Sequence, residues 1–149
     1  MKLIAASFVF AICFTWGVER GAAASAEQKC PVVIDQVELA YNHAGGHSIP
    51  QLRISFGNAA RKRISTVSFN LSVVGASGDE HAYPDDLKYS DGVEAGKKKV
   101  FTWDLIPQEV DIHRAGERVM VQRVEFDDAP AWVDDGSESC VFKVDFQAK

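Results

Sequence analysis

From Ile64 to Val74 the chain alternates apolar and polar residues. Val67, Phe69, Leu71 and Val73 are separated by Ser68, Asn70 and Ser72. A period of two sends successive side chains to opposite faces of a strand, so one face needs an apolar partner layer. The same reading predicts a first strand over Val33–Tyr41, with Val37, Leu39 and Tyr41 on one face. Asn42–Ser48 reads as a loop, and Pro50 opens a second strand carrying Leu52, Ile54 and Phe56. Gly57-Asn58 turns the chain into Ile64–Val74. From His81 to Gly96 the alternation dissolves into a long irregular excursion, with Leu87 and Tyr89 as a scrap of strand. Val100–Leu105 is a strand with Phe101, Trp103 and Leu105 on one face. In Arg118–Phe126 the parity slips, Val119 and Val121 on one side and Val124 and Phe126 on the other. A bulge near Gln122 and Arg123 reconciles them. Cys140, Phe142, Val144 and Phe146 form the last strand. No segment carries helical spacing over a helix length. About seven short strands between turn signals predict an immunoglobulin-like antiparallel β-sandwich, with a closed barrel as the alternative.

The first 26 of the 149 residues read differently. Lys2 precedes an almost wholly apolar run, Leu3–Val18, and Ala24-Ser25-Ala26 fits a small-x-small cleavage site. This is the pattern of a secretory signal peptide. As a membrane span the run is too short, and Glu19 and Arg20 interrupt it. The expected domain is then residues 27–149, with no membrane span in the mature chain. Losing residues 1–26 removes a net +1 and moves the formal charge from −5 to −6. That balance argues against a nucleic-acid partner, which needs a basic field. Arg61-Lys62-Arg63 and Lys97-Lys98-Lys99 are local basic runs beside turns and read as solvated flanks.

Cys13 leaves with the leader, so Cys30 and Cys140 remain. Two cysteines in an exported chain are expected to pair. A disulfide needs α-carbons within about 7 Å. Cys30 precedes the first strand and Cys140 opens the last. The bond therefore places those strands parallel side by side, or facing each other across the sheets in one direction.

The C-terminal stretch Val124-Glu125-Phe126-Asp127-Asp128, then Trp132-Val133-Asp134-Asp135-Gly136-Ser137 and Cys140, resembles small secreted bacterial proteins of unknown function. Phe56-Gly57-Asn58 and the Ile64–Phe69 strand fit the same pattern, and Ala129-Pro130 departs from its usual Gly-Thr turn. The resemblance implies a sandwich and a cysteine pair, and no activity.

Candidate chemistry is sparse. His43 and His47 are the candidate metal ligands, with His81 and His113 able to join only if the fold brings them near. Asp85, Asp86 and Asp91 invite a calcium reading, but the alternating EF-hand register is absent. Asp127, Asp128, Asp134 and Asp135 read as turn formers. Trp103 is assigned to the core. Trp132, between acidic turns, is expected half exposed, and with Tyr83 and Tyr89 it could offer stacking faces to a sugar. The candidate ligand loop is therefore His81, Tyr83, Asp85, Asp86, Tyr89 and Asp91, with Trp132 beside it. No nucleophile elbow, phosphate loop or zinc-protease motif occurs, and nothing calls for a cofactor. A glycosidase-like carboxylate pair needs a cleft, for which so small a sandwich leaves little room. The expectation is a secreted or periplasmic bacterial module that binds a protein or envelope component without catalysis. A calcium- or carbohydrate-binding module is the alternative, and a small hydrolase the third reading.

Overall fold

The computed structural model describes residues 29–44, 46–75, 77–107 and 114–145. The segment expected to be a signal peptide, His113 and Phe146 lie outside them, as does the side chain of His47. Among the described residues there is no helix long and apolar enough to cross a membrane. The described residues are all-β, with nine strands among them: β1 (Val32–Ala44), β2 (His47–Asn58), β3 (Ile64–Gly75), β4 (Glu80–Ala82), β5 (Leu87–Tyr89), β6 (Lys98–Asp104), β7 (Arg114–Phe126), β8 (Trp132–Val133) and β9 (Val141–Asp145).

Two antiparallel sheets form. The first has the order β1-β2-β6. In the second, β3 pairs β7, the other side of β3 takes β4 and β5, and the other side of β7 takes β8 and β9. In the lettering of immunoglobulin-like sandwiches these are A-B-E and C′-C-F-G, with β4 and β5 sharing the C′ position. The expected sandwich is present, in nine pieces rather than seven because two edge positions are each filled by two short strands.

β3 sits at the centre of its sheet because its inward row, Val67, Phe69, Leu71 and Val73, is apolar without a break and fully buried. The slip in β7 is a bulge where it was expected. Ser68 pairs Arg123 and Phe69 pairs Val121, so Gln122 is the extra residue. Val119, Val121 and Val124 thereby all reach the core.

Three expectations need correction. Asn42–Ser48 is no separate loop: β1 and β2 run as one hairpin with Ala44 opposite His47, turning at Gly46 with φ +81°. Glycine adopts that conformation without the Cβ penalty. Pro50 lies inside β2 rather than at its start, opposite Tyr41. Its carbonyl accepts the Leu105 N–H at 2.8 Å, so its own nitrogen also faces the β6 side, just past the last β6 pair, Gln51 with Asp104. The missing donor therefore costs the β1–β2 ladder nothing. The excursion from His81 to Gly96 is the fourth strand of the second sheet. Ser72 pairs Ala82, the Tyr83 N–H reaches the Leu71 carbonyl, Phe69 pairs Leu87, Val67 pairs Tyr89, and Ile64 bridges Val93. Pro84-Asp85-Asp86 arches away, and residues 94–96 turn toward β6, with the Lys97 N–H on the Glu94 carbonyl at 3.0 Å.

Five rings close one lateral seam between the sheets. Phe56, Phe69, Trp103, Phe101 and Tyr89 form a closed cycle of edge-to-face contacts, with centroids 4.6–5.7 Å apart. Phe56, Phe101 and Trp103 come from the first sheet, Phe69 and Tyr89 from the second. Such pairs add about 0.5–1.5 kcal/mol each beyond burial. The opposite seam is closed by the Cys30–Cys140 disulfide, with α-carbons 5.5 Å apart. β1 and β9 belong to different sheets and form no ladder. Of the two arrangements the bond allowed, the strands facing each other across the sheets is the one adopted.

The bond closes a loop of 110 residues. Replacing both cysteines by serine is expected to lower stability in urea titration by about 4–5 kcal/mol while the far-ultraviolet spectrum stays β. A loss below about 1 kcal/mol would contradict this role.

Candidate functional site

The expected ligand loop does not assemble. Tyr89, Val67, Val124 and Trp132 form one continuous row across the second sheet. All four point inward, and Trp132 is only 4% exposed. Tyr83 is also buried, and its hydroxyl accepts the Ile106 N–H at 2.9 Å. The three aromatics read as stacking platforms are thus core residues at the two edges of a sheet. Parity explains the error: Tyr89 and Trp132 lie in register with Val67, and the sequence hides that register because the intervening strands are far away in the chain. His81, Asp85, Asp86 and Asp91 are exposed. Asp86 pairs with Lys88 at 3.1 Å. His43 is exposed on β1 and its Nδ1 bonds the Ser48 hydroxyl at 2.8 Å, while His47 falls in the next row of the ladder. Among the described residues no three His, Cys, Asp or Glu gather as a metal site.

The acidic turns are turns. Asp134 accepts the Gly136 N–H at 3.1 Å and Asp135 accepts the Ser137 N–H at 3.0 Å. The Ser137 hydroxyl first, and then the Ser137 N–H, hold the Asp135 carboxyl below its ordinary range. Asp127 accepts from Arg63 at 2.6 Å, and Glu94 accepts from the same guanidinium at 2.9 Å. Gly92, at φ +76°, lies under that guanidinium, where a Cβ would collide with it.

Where the disulfide closes the seam, a cleft remains. It measures about 510 Å³ and is lined by Lys29, Cys30, Val32, Val33 and Ile34 on the β1 side and Ser139, Cys140, Val141 and Phe142 on the β9 side, the valines, Ile34 and Phe142 supplying the apolar wall. The expectation that a sandwich of this size has little room is therefore corrected, although the cleft offers no carboxylate pair. Both flanking strands are sheet edges: β1 pairs only β2 and β9 pairs only β7 among the described residues. These two edges and the apolar wall border the same cleft, with the Val32 N–H on the β1 side already directed at Cys30 Sγ at 3.4 Å. That arrangement can seat an extended apolar segment along an edge. No motif announced it, because it is made by the meeting of two chain ends.

Two further features were missed. Asn58 is 3% exposed. Its Nδ2 donates to the Lys62 and Val93 carbonyls at 2.8 and 2.9 Å, and its Oδ1 accepts from the Ala60 N–H at 2.8 Å. It ties the β2–β3 connection to the β5–β6 connection. Glu117 shares the inward parity of Val119 and Val121 and is buried opposite Val73 and Val144. Counting back by two from Val119 would have placed it inside.

On the outer face of the second sheet, Arg118 joins Glu80 at 3.1 Å and also Glu138, which holds a positive φ of 55°. The Ser72 hydroxyl and then Arg118 keep the Glu80 carboxyl below its ordinary 4.5. A depressed carboxylate contributes stability above its unfolded pKa and loses it as pH falls through the folded value. Glu80→Gln should therefore flatten the stability-versus-pH curve below about pH 4.5 and leave its shape near neutrality unchanged, as read by urea titration at several pH values. An unchanged acid limb would show that this network carries no pH-dependent stability.

Comparison with known proteins places the fold and nothing further. No family model and no curated protein matches the chain. It is similar to the crystal structure of a hypothetical protein from Peptoclostridium difficile 630, at TM-score 0.52 and 12% identity, over 74% of this chain and 90% of that one. A structural-genomics target aligns over 78% of this chain and 87% of its own, at TM-score 0.43 and 7% identity, too distant to carry an argument. The first similarity supports the sandwich and says nothing of activity.

Proposed function

We propose that this chain is an exported, non-catalytic binding module that holds an extended segment of a protein or envelope component at the seam between β1 and β9. The observation that carries this is the apolar cleft opening between two sheet edges beside the disulfide. An edge strand supplies main-chain hydrogen bonds for a partner strand, and a pocket beside it supplies side-chain selectivity. The cysteine pair supports an oxidising compartment, secreted or periplasmic. Burial of Tyr83, Tyr89 and Trp132 removes the stacking faces on which the carbohydrate reading relied.

Val33 lines the cleft and is 53% exposed, so its side chain can be changed without opening the core. A photoreactive residue at Val33 is expected to give one discrete adduct in the intact envelope. The same residue at Val133, comparably exposed but outside the cleft, should give none. Phe142→Glu, in the opposite wall, should abolish the Val33 adduct, with folding checked by thermal melting. Absence of any adduct, or identical adducts from both positions, would overturn the proposal.

A further inference from the structure

The two basic runs, far apart in the sequence, are brought to one end of the sandwich by a single residue. The Asn58 side chain donates to the Lys62 carbonyl, and its backbone N–H donates to the Lys97 carbonyl at 2.9 Å. Gly96 N–H returns to the Asn58 carbonyl at 3.0 Å, and Ala59 N–H bonds the Pro31 carbonyl at 2.8 Å, which brings the Lys29 segment alongside. Lys29, Arg61, Lys62, Arg63 and Lys97–Lys99 therefore crowd one end of a chain whose net charge is −5. Three carboxylates there are already engaged, Asp35 by Lys98 and Glu94 and Asp127 by Arg63. Among the described residues Arg61, Lys62, Lys97 and Lys99 are exposed and make no ion pair. Beside Lys97 and Lys98 lies a depression of about 230 Å³, walled also by Val33, Asp35, Gly57, Asn58, Ala59 and Gly96.

We propose that this end of the sandwich docks on an anionic lipid surface. The geometry favours a plane of phosphates over an acidic peptide. The N–H groups of Asn58, Ala59, Gly96 and Lys97 are all engaged, by the carbonyls of Lys97, Pro31, Asn58 and Glu94, so these residues offer no free donors to an added strand. What it presents is a spread of exposed cationic side chains, Arg61, Lys62 and Lys97 on connections and Lys99 on β6, with half-exposed Val33 beside them as an apolar toe. Cations near an anionic leaflet each strengthen binding by about fivefold, and the attraction ends within a Debye length. Val33 borders both this end and the seam cleft, so the two sites adjoin; Lys62 and Lys97 lie outside the cleft wall, and their reversal tests this end alone.

The charges can be removed without harm to the fold, because Asn58 uses main-chain atoms of Lys62 and Lys97 and not their side chains. The test is co-sedimentation of the chain, purified as the cell makes it, with vesicles of phosphatidylcholine alone or mixed with phosphatidylglycerol. Binding is expected only to the anionic vesicles and should vanish at about 1 M salt, where the Debye length is about 3 Å. Lys62→Glu/Lys97→Glu should reduce it by at least about 25-fold, while Lys88→Glu/Lys143→Glu, an equal change in net charge placed elsewhere, should reduce it far less. Equal losses from the two pairs, binding insensitive to charge reversal, or binding to polyglutamate without binding to vesicles would each overturn the proposal.

Discussion

The ring cycle of Phe56, Phe69, Trp103, Phe101 and Tyr89 is the contact on which this architecture depends. Each sheet has one apolar face, and faces alone do not decide how two sheets are aligned. A closed cycle drawing residues from β2, β3, β5 and β6 does decide it, because no ring can shift without breaking two edge contacts. It also explains why so short a strand as β5 is held. Tyr89 is fastened to Val67 by the ladder and to Phe56 and Phe101 by its ring.

The other flank is built on a different principle. There the closure is one covalent bond with apolar residues around it, and the packing is incomplete. A bond fixes two points, whereas interlocked rings fill a volume. The molecule is thus shut along β5 and β6 and merely pinned along β1 and β9. The proposed binding is placed on the pinned side because there, among the described residues, an apolar wall and two strand edges coincide. The Asn58 hub extends the same logic to the end of the sandwich. It uses one buried amide to tie the β2–β3 connection to the β5–β6 connection through main-chain groups of Ala60, Lys62 and Val93.

Much of this was legible in the chain. Alternation in β3 gave its inward face, the parity slip gave the Gln122 bulge, and cysteine counting gave the closing bond. Turn-forming Asp134 and Asp135 were read from composition alone. What escaped was pairing between distant segments. The stretch from His81 to Gly96 looks irregular because its strands are three residues long, and their order comes from β3. Trp132 looks exposed because its neighbours in sequence are acidic, while its neighbours in space are Val124 and the core. The cleft and the basic end were invisible for the same reason: each is assembled from segments that only the topology brings together. Asn58 was noticed as part of a turn, yet a turn residue and a buried three-bond hub look alike in one dimension.

Native-state amide hydrogen exchange on the disulfide-bonded chain tests the contrast between the two flanks most directly. Amides of Leu87–Tyr89 and Phe101–Asp104, on the ring-locked side, should open rarely, although β5 is very short. Those of Val32–Gln36 and Val141–Asp145, on the pinned side, should exchange markedly faster through local opening. Equal protection of both flanks, or faster exchange along β5 and β6, would contradict the account.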